Sequence, residues 1–258
     1  MTWELAAFLV LGVALAAGFV WYERSHPSAK TLALVATLAA LGVIGRIAFA
    51  PIPNVKPTTD IVLVAGFALG GAPGFMVGAM TALVSNFFFG QGPWTPWQMI
   101  AWGGVGLLGA ALGHVLRHRI RRLPLALVCA FAGLAFGLVM NFSTWLTFGA
   151  GQGLGGLLAI CVTALWFDVS HAVGNFLFAL ALGPLLIRTL MRFRARSEVV
   201  WRSLPSSTAP VAVLLTATLA IAGAAVAGAR ADGRGRAMPA ARQLLTQPGS
   251  GARAVWKS

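Results

Sequence analysis

One pattern repeats along the chain: an apolar run about as long as a membrane is thick, then a short cluster of positive charge. Leu5–Tyr22 is the first such run, free of charge and bounded by Glu4 and Glu23. Thr31–Ala50 follows, interrupted only by Arg46. A helix needs about 20 mostly apolar residues to cross a bilayer, so each reads as a crossing. Thr58–Ala72 and Phe75–Phe89 are shorter. The "GGAPG" between them places Pro73 among glycines and predicts a tight helical hairpin. Trp97–Leu116 and Leu123–Phe148 are two further runs. Leu154–Ile187 would be ~51 Å long as one helix, against a ~30 Å hydrocarbon core. Asp168 and His171 also fall in its middle, which predicts a break. Leu154–Phe167 then lies at the outer surface and Asp168–Ile187 crosses. Val211–Ala229 completes eight spans. The expected fold is an all-α polytopic helical membrane protein.

The charges orient it. The chain has 19 basic residues and six acidic ones, a net charge of +13. Such a balance could suggest nucleic acid, but the distribution argues for topology. Arg24 and Lys30, Arg117–Arg122 and Arg188–Arg202 are short basic clusters between apolar runs, the pattern of cytoplasmic loops. Eight alternating spans place all three inside and both termini outside, in the cell membrane. The segment from Arg230 onward carries six more basic residues, Arg230 included, and reads as a disordered tail. It would lie outside, against the charge rule, unless Val211–Ala229 fails to cross. Glu4 occupies the position of a basic n-region, so the first run reads as a retained span. Cys129 and Cys161 lack paired spacing, so neither a disulfide nor a metal site is expected.

On this topology the costly polar residues gather on one side. Asn54, Lys56, Asp60, Asn86, Gln91, Gln98, Asn141, Asp168, His171 and Asn175 fall in the outer third or the outer loops, with Arg46, Trp94, Trp97, Trp145 and Trp166. Ionisable groups at such depth are functional candidates by default. Asp60 suits the first turn of a helix; it could also pair with Lys56 or Arg46, or contact a ligand. Asp168, His171 and Asn175 are spaced i, i+3 and i+7, so they share a helix face, which either bonds a neighbouring helix or lines a cavity. Trp94 and Trp97 sit with Gln91 and Gln98 on the Pro-containing stretch "GQGPWTPWQM", which suits a preorganised ligand wall. Gly74/Gly78, Gly109/Gly113 and Gly133/Gly137 have the spacing that lets helices approach closely. No GxxxxGK[ST], HExxH or GxSxG is present. Asp168 with His171 as an acid–base pair is the weak enzymatic reading, and a stand-alone secondary transporter is another. No enzyme and no cofactor is expected.

The segments "PNVKPTTDIVLVAGFALGGAPGFMVGAMTALVSNFFFGQGPWTPWQMIAWG" and "FDVSHAVGNFLFALALGP" resemble the substrate-binding S component of energy-coupling factor (ECF) transporters, most of all its cobalamin- or corrinoid-associated branch. The resemblance covers about Lys30–Arg196. It implies six helices forming a ligand cup open to the outside (30–196), flanked here by one extra helix at each end (1–29 and 197–229) and the tail (230–258). It implies capture of a vitamin, handed on when the subunit joins a transmembrane T component and two cytoplasmic ATPases. The family's site maps onto Asn54–Asp60, Asn86–Gln98, Asn141–Trp145 and Trp166–Asn175. Its Ala-rich docking face for the T component matches Ala36 and Ala40, with Ala29 and Ala33 as an extension. A mouth rich in Trp and amides suits a corrinoid; it would also suit a flavin, biotin or thiamine.

Overall fold

The computed structural model describes residues 3–149 and 153–197, all within the first of the chain's two units, Met1–Ser203. The expected span Val211–Ala229 and the tail lie outside the described residues. What is described is helical: α1 (Trp3–Arg24), α2 (Ala29–Ala48), α3 (Thr58–Leu69), α4 (Gly71–Phe89), α5 (Trp94–Val115), α6 (Arg122–Thr144) and α7 (Gly153–Ser197), with a π-helical turn at Trp145–Gly149 extending α6. Six of these are long and apolar enough to cross a membrane; α3 is the exception. The chain is a multi-pass, all-α membrane protein.

The basic residues meet at one end of the bundle. An Arg194 Nη1 donates to the Ala68 carbonyl at the end of α3 and lies 3.1 Å from His118 Nε2. His118 Nδ1 lies 2.8 Å from the Phe67 carbonyl. Trp21, three residues before Arg24, rests on Gly71 in the turn that follows α3. The described members of all three basic clusters therefore sit at the end where α1, α3, α5 and α7 finish and α2, α4 and α6 begin. This is the alternation that the charge pattern predicts.

Three elements depart from expectation. The predicted crossing Thr58–Ala72 is a helix of only 12 residues, ~18 Å long, and Thr58 to Ala68 are all buried. It cannot span ~30 Å alone. Instead the α2–α3 connection folds inward: Pro57 lies against Gly45, and Thr58 Oγ1 donates to the Gly42 carbonyl. A buried position inside protein is where such irregular backbone is tolerated at membrane depth. Second, no break separates Phe167 from Asp168. α7 is continuous over 45 residues, ~67 Å. Asp168 needs no unwound backbone, because α6 supplies a partner for it sideways. Third, α5 starts at Trp94, not Trp97. Pro93 and Pro96 occupy the cap and first turn, where a missing N–H costs nothing. The connection from α4 shrinks to Gly90–Pro93, and Gly90 takes the left-handed φ of 94° that turns the chain.

Glycines set the packing. Gly66, Gly74 and Gly106 bring the backbones of α3, α4 and α5 together at one point; a Cβ on any of them would strike main chain. Gly78 meets the backbone at Trp102, while Gly109 meets the Leu63 carbonyl and Gly113 that of Phe67. The predicted small-residue pairs thus serve close helix approach within the chain. Below the polar layer the core is apolar, built on Val62, Leu63, Phe67, Val77 and Leu125.

Candidate functional site

Toward the end away from the basic clusters, the buried polar residues form one layer through the bundle. On one side is Arg46, near the end of α2. An Nη1 donates to Ser85 Oγ at 2.6 Å and to Asn86 Oδ1 at 2.7 Å, both on α4. Its guanidinium also lies over the rings of Phe89, at 4.6 Å, and Trp102, at 5.2 Å. No carboxylate pairs with it among the described residues, and its Nε–H is buried without a partner. Asn86 passes the network on: its amide donates to Thr95 Oγ1 and Gln98 Oε1, and Thr95 donates to Gln91 Oε1. Asn86, Gln91 and Gln98 are therefore brought together as predicted, held by α4 and the first turns of α5.

The other side is centred on His171 of α7. Its Nδ1 lies 2.8 Å from the Asn54 carbonyl, which can only accept, so Nδ1 carries the proton. Nε2 then accepts from Thr59 Oγ1 at 3.0 Å, and Thr59 accepts from Trp102 Nε1 at 3.2 Å. Asn54 is itself fixed, at a left-handed φ of 55°, by donation to the Phe167 carbonyl. Trp102 joins the halves. Its ring stacks on Phe136 at 4.5 Å, lies beside Arg46, and its N–H feeds the His171 chain. Lys56 adds a second positive group. Burial, then the Arg46 charge, push its ammonium down to about 8.

The α7 stripe shares one face, as its spacing predicts, and that face lies against α6. Asp168 Oδ2 accepts from Asn141 Nδ2 at 2.8 Å. Gly137 makes room for the Asp168 carboxyl, Gly133 for Asn175 and the His171 ring. Asn175 is fully buried, yet neither of its amide atoms has a partner. Both His171 nitrogens are thus engaged, and Asn141 holds Asp168.

Several expected members lie elsewhere or act differently. Asp60, 2 % exposed, pairs with neither Lys56 nor Arg46. The thiol of Cys129 on α6 and the Asp60 backbone N–H lie against its carboxyl, and neither oxygen has a well-formed hydrogen bond. Trp97 is packing. It stands edge-on between Phe8 of α1, at 6.5 Å, and Phe142 of α6, at 5.7 Å. Trp94 Nε1 ties back to the Gly90 carbonyl, and Trp145 Nε1 to that of Gly153, so these two stabilise turns. Trp166 is 78 % exposed and outside the layer. Sequence reasoning missed Trp102, Thr95 and Ser85 as members and did not rank Arg46 among the site residues. The spacing of Trp94, Gln98 and Trp102 at successive helical turns was the available signal for Trp102.

Ala29, Ala33, Ala36 and Ala40 are all exposed along one face of α2, while α1 packs on α4 and α5. α1 therefore leaves the Ala face open.

Residues 24–194 match the model of a family described as "Family of unknown function (DUF6580)", and the chain belongs to that family. No curated protein matches the chain, and no solved structure does.

Proposed function

We propose that this member of DUF6580 is a membrane subunit that captures a solute from outside the cell, of the kind the ECF S components represent. The observation that carries the reading is the buried cation Arg46, which no carboxylate neutralises among the described residues, set in a layer of amides and indole at one end of the bundle. An unpaired buried charge is costly, and a solute bearing an acidic group would complete it. The positive-inside rule puts this layer outside and the basic end in the cytoplasm. The cargo that fits amides together with a cation is a large amide-bearing solute with an acidic group, and a corrinoid or corrinoid precursor is the first choice. Asn54, Lys56, Asn86, Gln91, Gln98, Asn141, Asp168, His171 and Asn175 line or support that site, together with Arg46 and Trp102. Uptake would need a T component and two ATPases.

The purified full chain should retain or bind one solute from a panel of corrinoids, flavin, biotin and thiamine, read by mass spectrometry and by quenching of Trp fluorescence. If every member of the panel fails to bind, the capture reading falls. The Ala face gives a second expectation. Ala40→Leu should reduce co-purification with a co-expressed T component and its ATPases by ~10-fold or more, because a bulky side chain forbids close helix approach, while solute binding is unchanged. Loss of binding with assembly intact would overturn that role for the face.

One observation favours a second reading. Asp60, buried at the head of α3 with no cation paired to it among the described residues, is placed as a proton- or cation-responsive carboxyl of a secondary transporter is placed. Gradient-driven uptake into liposomes holding this protein alone, abolished by Asp60→Asn, would establish it and displace the capture subunit.

A further inference from the structure

A cavity of about 760 Å³ opens at the basic end, between the start of α6 and the later part of α7. Arg119, Arg121, Arg122 and Arg188 line it, and no carboxylate does. These four side chains are exposed and make no hydrogen bond or ion pair among the described residues. The neighbouring His118 and Arg194 differ, because both are spent on the last carbonyls of α3. The positive-inside rule explains why such residues are basic. It does not explain why they wall a cavity.

The floor is apolar. Leu125 and Ile187 are buried there, and Pro184 interrupts the hydrogen-bond ladder of α7 at the same place. On either side Leu123, Leu127 and Leu185 are strongly exposed on the outer surfaces of α6 and α7, the surfaces a bilayer covers. An occupant must therefore meet several guanidinium groups at its head and hydrocarbon below. Guanidinium matches phosphate oxygens two at a time.

We infer that this cavity holds the phosphate-bearing headgroup of an anionic membrane lipid. Phosphate is the chemistry read by the arginines, and the apolar floor, flanked by the exposed leucines of α6 and α7, selects a lipid over a free anion. Basic pockets between membrane helices at the cytoplasmic side are suited to such headgroups. The inference stands independently of the solute at the other end.

The test uses the purified full chain in an equal mixture of phosphatidylglycerol and phosphatidylcholine with matched acyl chains, with bound lipid read by native mass spectrometry. Wild type should retain phosphatidylglycerol over phosphatidylcholine by at least ~5-fold. The double variant Arg121→Gln/Arg188→Gln should fall to parity. Arg24→Gln/Lys30→Gln removes as many charges from the same end, outside the cavity, and should keep the preference. Parity in wild type overturns the inference, and so does equal loss in both double variants, which would mean diffuse surface charge. Millimolar inorganic phosphate should not displace the lipid; displacement would assign the cavity to a soluble phosphate and overturn the lipid. The substituted residues are exposed, and an unchanged size-exclusion profile confirms that each variant folds.

Discussion

Gly106→Leu should leave no properly folded protein, while Gly104→Leu, two residues away on the same helix, should fold as wild type. A Cβ at Gly106 would strike the carbonyl of Gly74 and the next backbone nitrogen, whereas one at Gly104 meets nothing within 4 Å. Main chain cannot swing aside as a flexible side chain can. The helices would have to separate where Gly66, Gly74 and Gly106 converge, and the packing of α3, α4 and α5 would separate with them. Overpacking a core typically costs about 1–3 kcal/mol, and a clash with the α4 backbone belongs above that range. Substitution at an open position stays within about 0.5 kcal/mol. Size-exclusion of detergent-purified protein, followed by unfolding in sodium dodecyl sulfate monitored by circular dichroism, separates the two. If the variants behave alike, the three helices do not cross as described.

That crossing also indicates what was legible beforehand. Gly74/Gly78 and Gly109/Gly113 could be read from spacing, because the feature they encode is local to one helix. So could the Asp168, His171 and Asn175 stripe, whose shared face follows from 3.6 residues per turn. The charge clusters fixed the alternation of the helices for a similar reason: each records which side of a membrane a loop occupies. What sequence could not supply is the choice of partner. Asp168 predicted a broken helix only while its partner was unknown; Asn141, on a different helix, removes the reason for a break. Asp60 lies next to Cys129, 69 residues later, rather than to the nearby Lys56, because the inward fold at Pro57 sets which way α3 faces. Trp97 and Trp102 show the same limit. Five residues apart on α5, they face different neighbours, and only the packing of α1 and α6 decides which is anchor and which is centre. The short α3 was misjudged because its run is apolar in every direction, and full burial in protein produces that as readily as lipid does.

Arg46→Gln should weaken binding of an acidic solute by ~30-fold or more, the range for removing one member of a buried, hydrogen-bonded charge pair. The side chain has a structural role as well, since it donates to Ser85 and Asn86. Its removal leaves Asn86 Oδ1 short of a donor, at about 1–3 kcal/mol of stability. The two roles separate when the solute that binds is compared in its free-acid and esterified forms. Wild type should prefer the acid strongly. Arg46→Gln should bind acid and ester alike, at the level wild type shows for the ester. Arg46→Lys keeps the charge but cannot donate in the fixed fork of a guanidinium, so it should recover part of the preference for the acid and little of the lost stability. Were Arg46→Gln to lower acid and ester binding by the same factor, the guanidinium would be a strut of the α2–α4 contact and not the group that receives the solute. The buried positive charge would then answer to Ser85 and Asn86 of α4 and the rings of Phe89 and Trp102 alone.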